Sequence, residues 1–500
     1  MRKLIIAAAT AATLATLGLG ATAAQAQTAS HSIPTVAATV KGTDVAGIAQ
    51  SEIVTLATKA TTACKSVKTT GLPNTVTAGT ASSVNKGCTV EIEGVWPATP
   101  ATRTLTITWT QGGTAHTESV NKTILASPCE NDAVGVGSDT LTPLVDQLAS
   151  DYNNSIGGVT TPCSKHTTTT PFEESWDAVN PVTGAIGDSI PVKADCSHIA
   201  RPDGSSAGIN QLKLFTKSSS GPFCTNFARS SRPRGSSDPP FAAGGVAFVA
   251  LAGDAVTWSH PAINTSAPAT LTPAQLTAIY TCTDTTWNQV GGSSTQAIAP
   301  FLPQSGSGTL SVFLAAIGVT TPGPCVSTGN PANSLEENEG DNPVLNNAGA
   351  IFIYSAGDWI AQQFHAPKCL KAGCTASNGV ICKKTPNLDQ FWCNVNGTGT
   401  AQGAEVLGQV NGVAPTTGSG TSTAINPAFA NTNPLFGRTL YQVVPFNTTA
   451  SPIPSGTNPV GGVDLDGIFG ASGFDCTSAV AKADITNYGF LNIGNCGGVS

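Results

Sequence analysis

Gly135-Val136-Gly137-Ser138-Asp139-Thr140, Gly204-Ser205-Ser206-Ala207-Gly208 and Ser305-Gly306-Ser307-Gly308-Thr309 each run straight into a helical pattern. A helix start presents unpaired backbone N–H groups and the positive end of the helix dipole. Small residues let an anion approach that backbone closely, and hydroxyls add donors. Arg229-Ser230-Ser231-Arg232 lies between the second and third loops and offers cations and further hydroxyls. Three such loops in one chain point to a cleft built around a small oxyanion.

The flanking patterns say what must position these loops. Leu141, Leu144, Val145 and Leu148 fall at helical spacing behind Pro143, and Leu310, Phe313, Leu314 and Ile317 repeat it after the third loop. Thr272-Pro273 opens a further helix carrying Leu276, Ile279 and Tyr280. Gly245 to Leu251 is a continuous apolar run, as in a strand buried on both faces. From about Cys129 onward this is α/β architecture. Residues 27–128 read as a separate all-β module: Thr89–Glu93 and Leu105–Trp109 alternate apolar and polar residues, and Gln111-Gly112-Gly113 is a turn signal. An immunoglobulin-like sandwich stapled by Cys64–Cys88 is the expectation there. Gly397–Thr432, rich in Gly, Ser, Thr and Asn, reads as a long surface loop.

Residues 1–26 read as a cleaved signal peptide: Arg2-Lys3, an apolar run to about Ala21, then Ala24-Gln25-Ala26. No cysteine precedes Cys64, so no lipid anchor is expected, and no later run suits a membrane span. The protein is expected in a periplasm or outside the cell. With 14 cysteines in an exported chain, disulfides are favoured over metal, and Cys476–Cys496 is a plausible pair. Cys369, Cys374, Cys382 and Cys393 beside His365 lack the paired spacing of a zinc ribbon. A net charge of -7 without a basic stripe argues against nucleic acid.

The set Gly135-x-Gly137, Gly204-Ser205-Ser206-x-Gly208, Phe227-x-x-Ser230 and Gly306-Ser307-Gly308-Thr309 resembles the phosphate-binding proteins of ABC transporters, type II periplasmic binding proteins. Ile279-Tyr280 before Trp287-Asn288, and Gly349 to Tyr354, add to the likeness, which spans Val134 to Ser500. The resemblance implies a two-lobed, hinged α/β trap over 129–500. Lobe 1 would take about 129–255 and 438–500, lobe 2 about 259–437, with crossings near Asp254–Trp258 and Arg438–Val444. Phosphate or a related oxyanion is the implied ligand and an ABC permease the implied partner, with no cofactor. Ser205 would donate, Ser307, Gly308 and Thr309 would form a donor nest, and Asp139 and Thr140 occupy the first loop.

Two departures stand out. The family usually carries an arginine shortly before its Gly-Ser-Gly-Thr loop, where this chain has Leu302-Pro303-Gln304, and an aspartate where this chain has Ser231. Asp139 could be the displaced proton acceptor, and Arg229 or Arg232 the missing cation. Two rival readings are a secreted adhesion protein and an exported hydrolase. The hydrolase lacks a G-x-S-x-G elbow, because Ser305 precedes Gly306-Ser307-Gly308, and its histidines lack company; His198 near Asp195 and Asp203 is the arguable case.

Overall fold

The computed structural model describes strands between residues 44 and 125 and most of 127–500. Residues 1–43, 158–162, 181–185, 262–264, 329–334, 341, 346, 363–404, 457–458 and short links among the first strands are outside the described residues. The expected signal peptide and the cysteines of 369–393 fall there, as do the side chains of Cys64 and Cys88.

The N-terminal strands form two four-stranded sheets. One pairs Asp44–Val45, Thr114–Leu125, Ala101–Gln111 and Cys64–Thr70; the other groups Ala49–Ala57, Val76–Ala78 and Ser82–Val84 with Gly87–Val95. The turn signal at Gln111–Gly113 falls between two long antiparallel strands, on the first of which Leu105, Ile107 and Trp109 are buried.

The remainder is built on a mixed ten-stranded sheet. In chain order its main members are β1 (Ala133–Gly137), β2 (Glu173–Ser175), β3 (Phe227–Ser230), β4 (Val246–Pro261), β5 (Ala299–Leu302), β6 (Ala350–Ser355) and β7 (Gly437–Pro445). Their spatial order is β2-β1-β3-β7-β4-β6-β5. β1 is parallel to β2 and β3, and β5 is parallel to β6. β4 is the long member: Val246–Ala255 pairs antiparallel with β7, and Val256–Ser259 pairs with β6. The apolar run expected as a buried strand therefore continues to Pro261 and carries the chain from one half of the sheet to the other.

Helices cover the sheet where the sequence pattern placed them. α1 (Thr142–Ser155) starts with proline in its first turn and buries Leu144, Val145 and Leu148 against Phe227, Val249 and Leu440. α2 (Gly204–Leu212) packs on β3. α3 (Pro273–Tyr280) begins in a capping box between Thr272 and Gln275. α4 (Gly308–Ala316) is capped by the Ser307 hydroxyl, which accepts from Leu310 N. Phe313 of α4 joins Trp258, Tyr280, Trp287 and Phe352 in the core of the second half. Trp287 is a core residue.

Residues 405–432 do not form the long loop that their composition suggested. Short strands at Glu405–Leu407, Gln409–Val410, Thr416–Thr417 and Ala424–Ile425 precede a helix, Pro427–Thr432. The Asn426 side chain caps that helix and Phe429 is fully buried, so a cap and one aromatic override the Gly/Thr-rich composition. Disulfides join Cys129–Cys163, Cys196–Cys224, Cys282–Cys325 and Cys476–Cys496, the last being the pair that spacing suggested.

Candidate functional site

Parallel strands bring their carboxyl ends to one edge, and ligands of open α/β sheets bind beyond that edge. β1 and β3 lie side by side, so Ser138, just past β1, donates its amide to the carbonyl of Arg229. Ser231 follows β3 directly. β5 delivers the third loop, which bends back through Ser307 into α4. The amide of Ser206 in α2 donates to the Gly306 carbonyl, which closes the second loop against the third.

The donors of these loops converge on one anionic group, the carboxylate of Glu337. Its Oε1 accepts from Ser138 Oγ at 2.8 Å, Thr140 Oγ1 at 2.7 Å, Thr140 N at 3.1 Å and Ser231 Oγ at 3.3 Å. Its Oε2 accepts from Ser307 Oγ and, at 3.1 Å, from Thr309 N. The side chain is fully buried; the Thr309 amide comes from the first turn of α4, and Thr140 donates from the loop just ahead of α1.

Glu337 is positioned from both sides. Leu335 is buried in the core of the second half, and its carbonyl accepts from Gln304 N at 2.9 Å. Beyond Glu337, the Asn338 carbonyl accepts from Tyr354 Oη and Gln362 Nε2, each at 2.6 Å.

Arg438 supplies the cation. Its Nη1 donates to the Ser231 carbonyl at 2.9 Å and to Thr309 Oγ1 at 2.8 Å, while Nε and Nη2 both reach Asp254 Oδ2. Asp254 and Arg438 are cross-strand partners on β4 and β7, the strands that cross between the halves of the sheet. Asp254 also accepts from Ser355 Oγ and Gly357 N. Burial alone would push the Glu337 carboxyl up. The Arg438 charge and the hydrogen bonds from Ser307 and Thr140 outweigh that and hold it below its ordinary value.

A second carboxylate group sits alongside. Asp139, Asp203 and Glu336 lie with oxygens within 4.8 Å of one another, and Gln304 Nε2 donates to Asp139 at 2.9 Å and to Asp203 at 3.1 Å. Burial first, then the charges of Asp203, Glu336 and Glu337, drives Asp139 well above the ordinary carboxylate range. Asp203 is raised chiefly by burial.

The residues expected at the site divide into groups. Thr140, Ser231, Ser307 and Thr309 touch Glu337, and Ser205 reaches it only through Ser231, accepting from Ser231 N at 3.0 Å. Gly308 packs directly against the Ser231 and Ser205 hydroxyls. Asp139 lies in the neighbouring carboxylate group. Ser230 turns its hydroxyl onto the Arg232 carbonyl. Arg229 points back under the first loop, donating to Ser175, Gly137, Ser138 and Thr142. Arg232 pairs bidentately with Asp238 and reaches Ser206. The charge expected from Arg229 or Arg232 comes instead from Arg438, because both other guanidiniums are committed elsewhere. His198 is exposed, with only Ser189 Oγ at 3.4 Å.

Sequence reasoning placed Arg438 on a crossing strand without a role at the site and passed over Glu337. The signal available for Glu337 was the acidic run Glu336-Glu337-Asn338-Glu339 behind Leu335, in a chain only 11% charged.

A methyl at position 308 would overlap the Ser231 and Ser205 hydroxyls. Gly308→Ala is therefore expected to cost about 1–3 kcal/mol through forced repacking, measured by urea unfolding. A loss below about 0.5 kcal/mol would show that α4 can shift freely.

Residues 128–377 match the family model of the PBP superfamily domain. Similar solved structures include an ABC-type phosphate transport receptor from Vibrio cholerae, at 17% identity and TM-score 0.39, covering 72% of this chain and 99% of that one. PstS from Borrelia burgdorferi is similar at 15% identity and TM-score 0.32, covering 73% and 98%. A phosphate binding protein from Stenotrophomonas maltophilia is similar at 11% identity and TM-score 0.37, covering 73% and 91%. No curated protein matches the chain. On the family match over half its length, this chain belongs to the PBP superfamily.

Proposed function

We propose that this chain is an exported solute-binding protein that captures phosphate or a similar tetrahedral oxyanion between two α/β lobes. The observation that carries the reading is the convergence of four hydroxyls and two backbone amides on one anionic group. The two carboxylate oxygens of Glu337 mark where two oxygens of the ligand would sit. Thr140, Ser231, Ser307 and Thr309 would donate to it directly, with Ser205 and Gly308 shaping the wall. Arg229 and Ser230 would hold the floor rigid, Arg232 the rim, and Arg438 would set the positive field. Asp139, expected as the proton acceptor, is raised well above the ordinary carboxylate range and would keep its own proton in the neighbouring carboxyl group.

Membership in a family of solute-binding proteins, four disulfides among the described residues, and described helices not long and apolar enough to cross a membrane support an exported carrier. Delivery to an ABC-type permease fits the names of the similar structures. The N-terminal strands would serve as an immunoglobulin-like spacer.

Thermal unfolding under phosphate and sulfate tests the reading. A ligand that prefers the folded state adds RT ln(1 + [L]/Kd), about 2.7 kcal/mol at a hundred times Kd. Saturable stabilisation by phosphate, exceeding that by sulfate, is expected. Tighter sulfate binding would reject phosphate as the preferred oxyanion, and no stabilisation by either anion would reject capture. Turnover of a chromogenic ester would favour a hydrolase.

A further inference from the structure

We infer that Glu337 is a tethered competitor for the anion site, so that free oxyanion binds only by displacing this carboxylate. The inference rests on the capture reading and adds what the site must release.

Glu337 uses the same donors that a ligand from solution would need. Six hydrogen bonds and the Arg438 charge are committed to it, and two anions cannot share them with one cation nearby. The tether keeps the carboxylate at high effective concentration, which raises the apparent dissociation constant of any free anion.

The seat also carries a cost that makes it reversible. Inserting Glu337 places its neighbour Glu336 against Asp139 and Asp203, three carboxyl groups within 4.8 Å, with Gln304 as the bridging donor to both aspartates. Withdrawal of the segment takes Glu336 out of that crowded carboxyl group, in which burial raises both aspartates. The anchors on either side, Leu335 in the core and the Asn338 carbonyl under Tyr354, hold the segment without needing the Glu337 carboxylate.

Glu337→Ala and Glu337→Gln, compared with the unaltered chain in titration with inorganic phosphate, test this. Both variants are expected to bind phosphate about tenfold or more tightly than the unaltered chain. Acetate, a free carboxylate, should stabilise Glu337→Ala against heat and leave the unaltered chain unmoved. In the unaltered chain, saturating phosphate should speed hydrogen exchange across 335–340. Equal phosphate affinities for variant and unaltered chain would overturn the competition and leave capture standing. Failure of phosphate, sulfate and acetate to stabilise any of the three proteins would instead bring down the capture reading. Loss of folding in both variants, unrelieved by phosphate or acetate, would make Glu337 a structural strut and likewise overturn the inference.

Discussion

Arg438→Met is expected to cost about 3–5 kcal/mol of stability at neutral pH, the usual loss when one member of a buried ion pair is removed. The guanidinium side chain is 1% exposed and its partner Asp254 is fully covered. Without Arg438, Asp254 keeps only the Ser355 hydroxyl and the Gly357 amide. It would also face Asp358, whose carboxyl burial first and the Asp254 charge second already push well up. The same substitution strips Thr309 Oγ1 and the Ser231 carbonyl of their shared donor. It removes as well the charge that holds Glu337 ionised, so anion affinity should fall together with stability. Arg438→Lys keeps a charge but not the forked geometry that reaches three partners, and should land between the two. Adding Asp254→Asn to Arg438→Met should recover part of the loss, because the uncompensated charge goes with it. Urea unfolding with intact disulfides measures all four proteins. A cost below about 1 kcal/mol for Arg438→Met would mean that the pair behaves like an exposed one.

Much of the scaffold was legible because its signals are local. The stripe Leu141–Leu148 is a periodicity that burial of one helix face enforces, and Gly245–Leu251 is an unbroken apolar run that burial of both strand faces enforces. The three donor loops were legible for a similar reason, since glycine and hydroxyl residues at a helix start declare themselves within a few positions. What was not legible is long in range. Glu337 meets Ser138 across 199 residues, and Arg438 meets Asp254 across 184. No local pattern reports that an acidic run on one half of the molecule will fill a nest lined by both. Arg229 shows the converse limit. Its type and place beside Ser230 suited a ligand, yet its side chain is drawn inward by Ser175, Gly137 and Thr142. At 405–432 the composition averaged over one cap and one aromatic that decide the local structure.

Raising the pH from 5 to 8 is expected to weaken the fold. Burial pushes Asp475 up to about 8. Glu173, Asp177, Asp139 and Asp358 are also raised, each first by burial and then by neighbouring carboxylates. The sign follows from proton counting. The unfolded chain releases the Asp475 proton near 3.8 while the folded chain keeps it until about 8. Between those values the folded state binds more protons, so stability drops as pH rises, by up to about 1.4 kcal/mol per unit for one such group. Other groups run the other way, Asp238 and His260, both held low, among them. Glu337, held low, contributes stability above its unfolded value and loses it in acid, which sets the lower edge of the optimum. Lys193, pushed down to about 7 by burial, lends stability only as pH climbs above that value. The maximum should therefore fall at about pH 4, where the unfolded carboxyls begin to release their protons. Asp475→Asn isolates the main contributor: neither carboxyl oxygen of Asp475 has a hydrogen-bond partner among the described residues, so the amide disturbs little. The variant should match the unaltered chain near or below about pH 4 and exceed it at pH 8 by on the order of 5 kcal/mol, with a pH slope shallower by close to one proton. Unfolding curves in urea at half-unit steps measure this. A flat or rising profile for the unaltered chain, or an unchanged slope in Asp475→Asn, would place the proton-holding groups elsewhere.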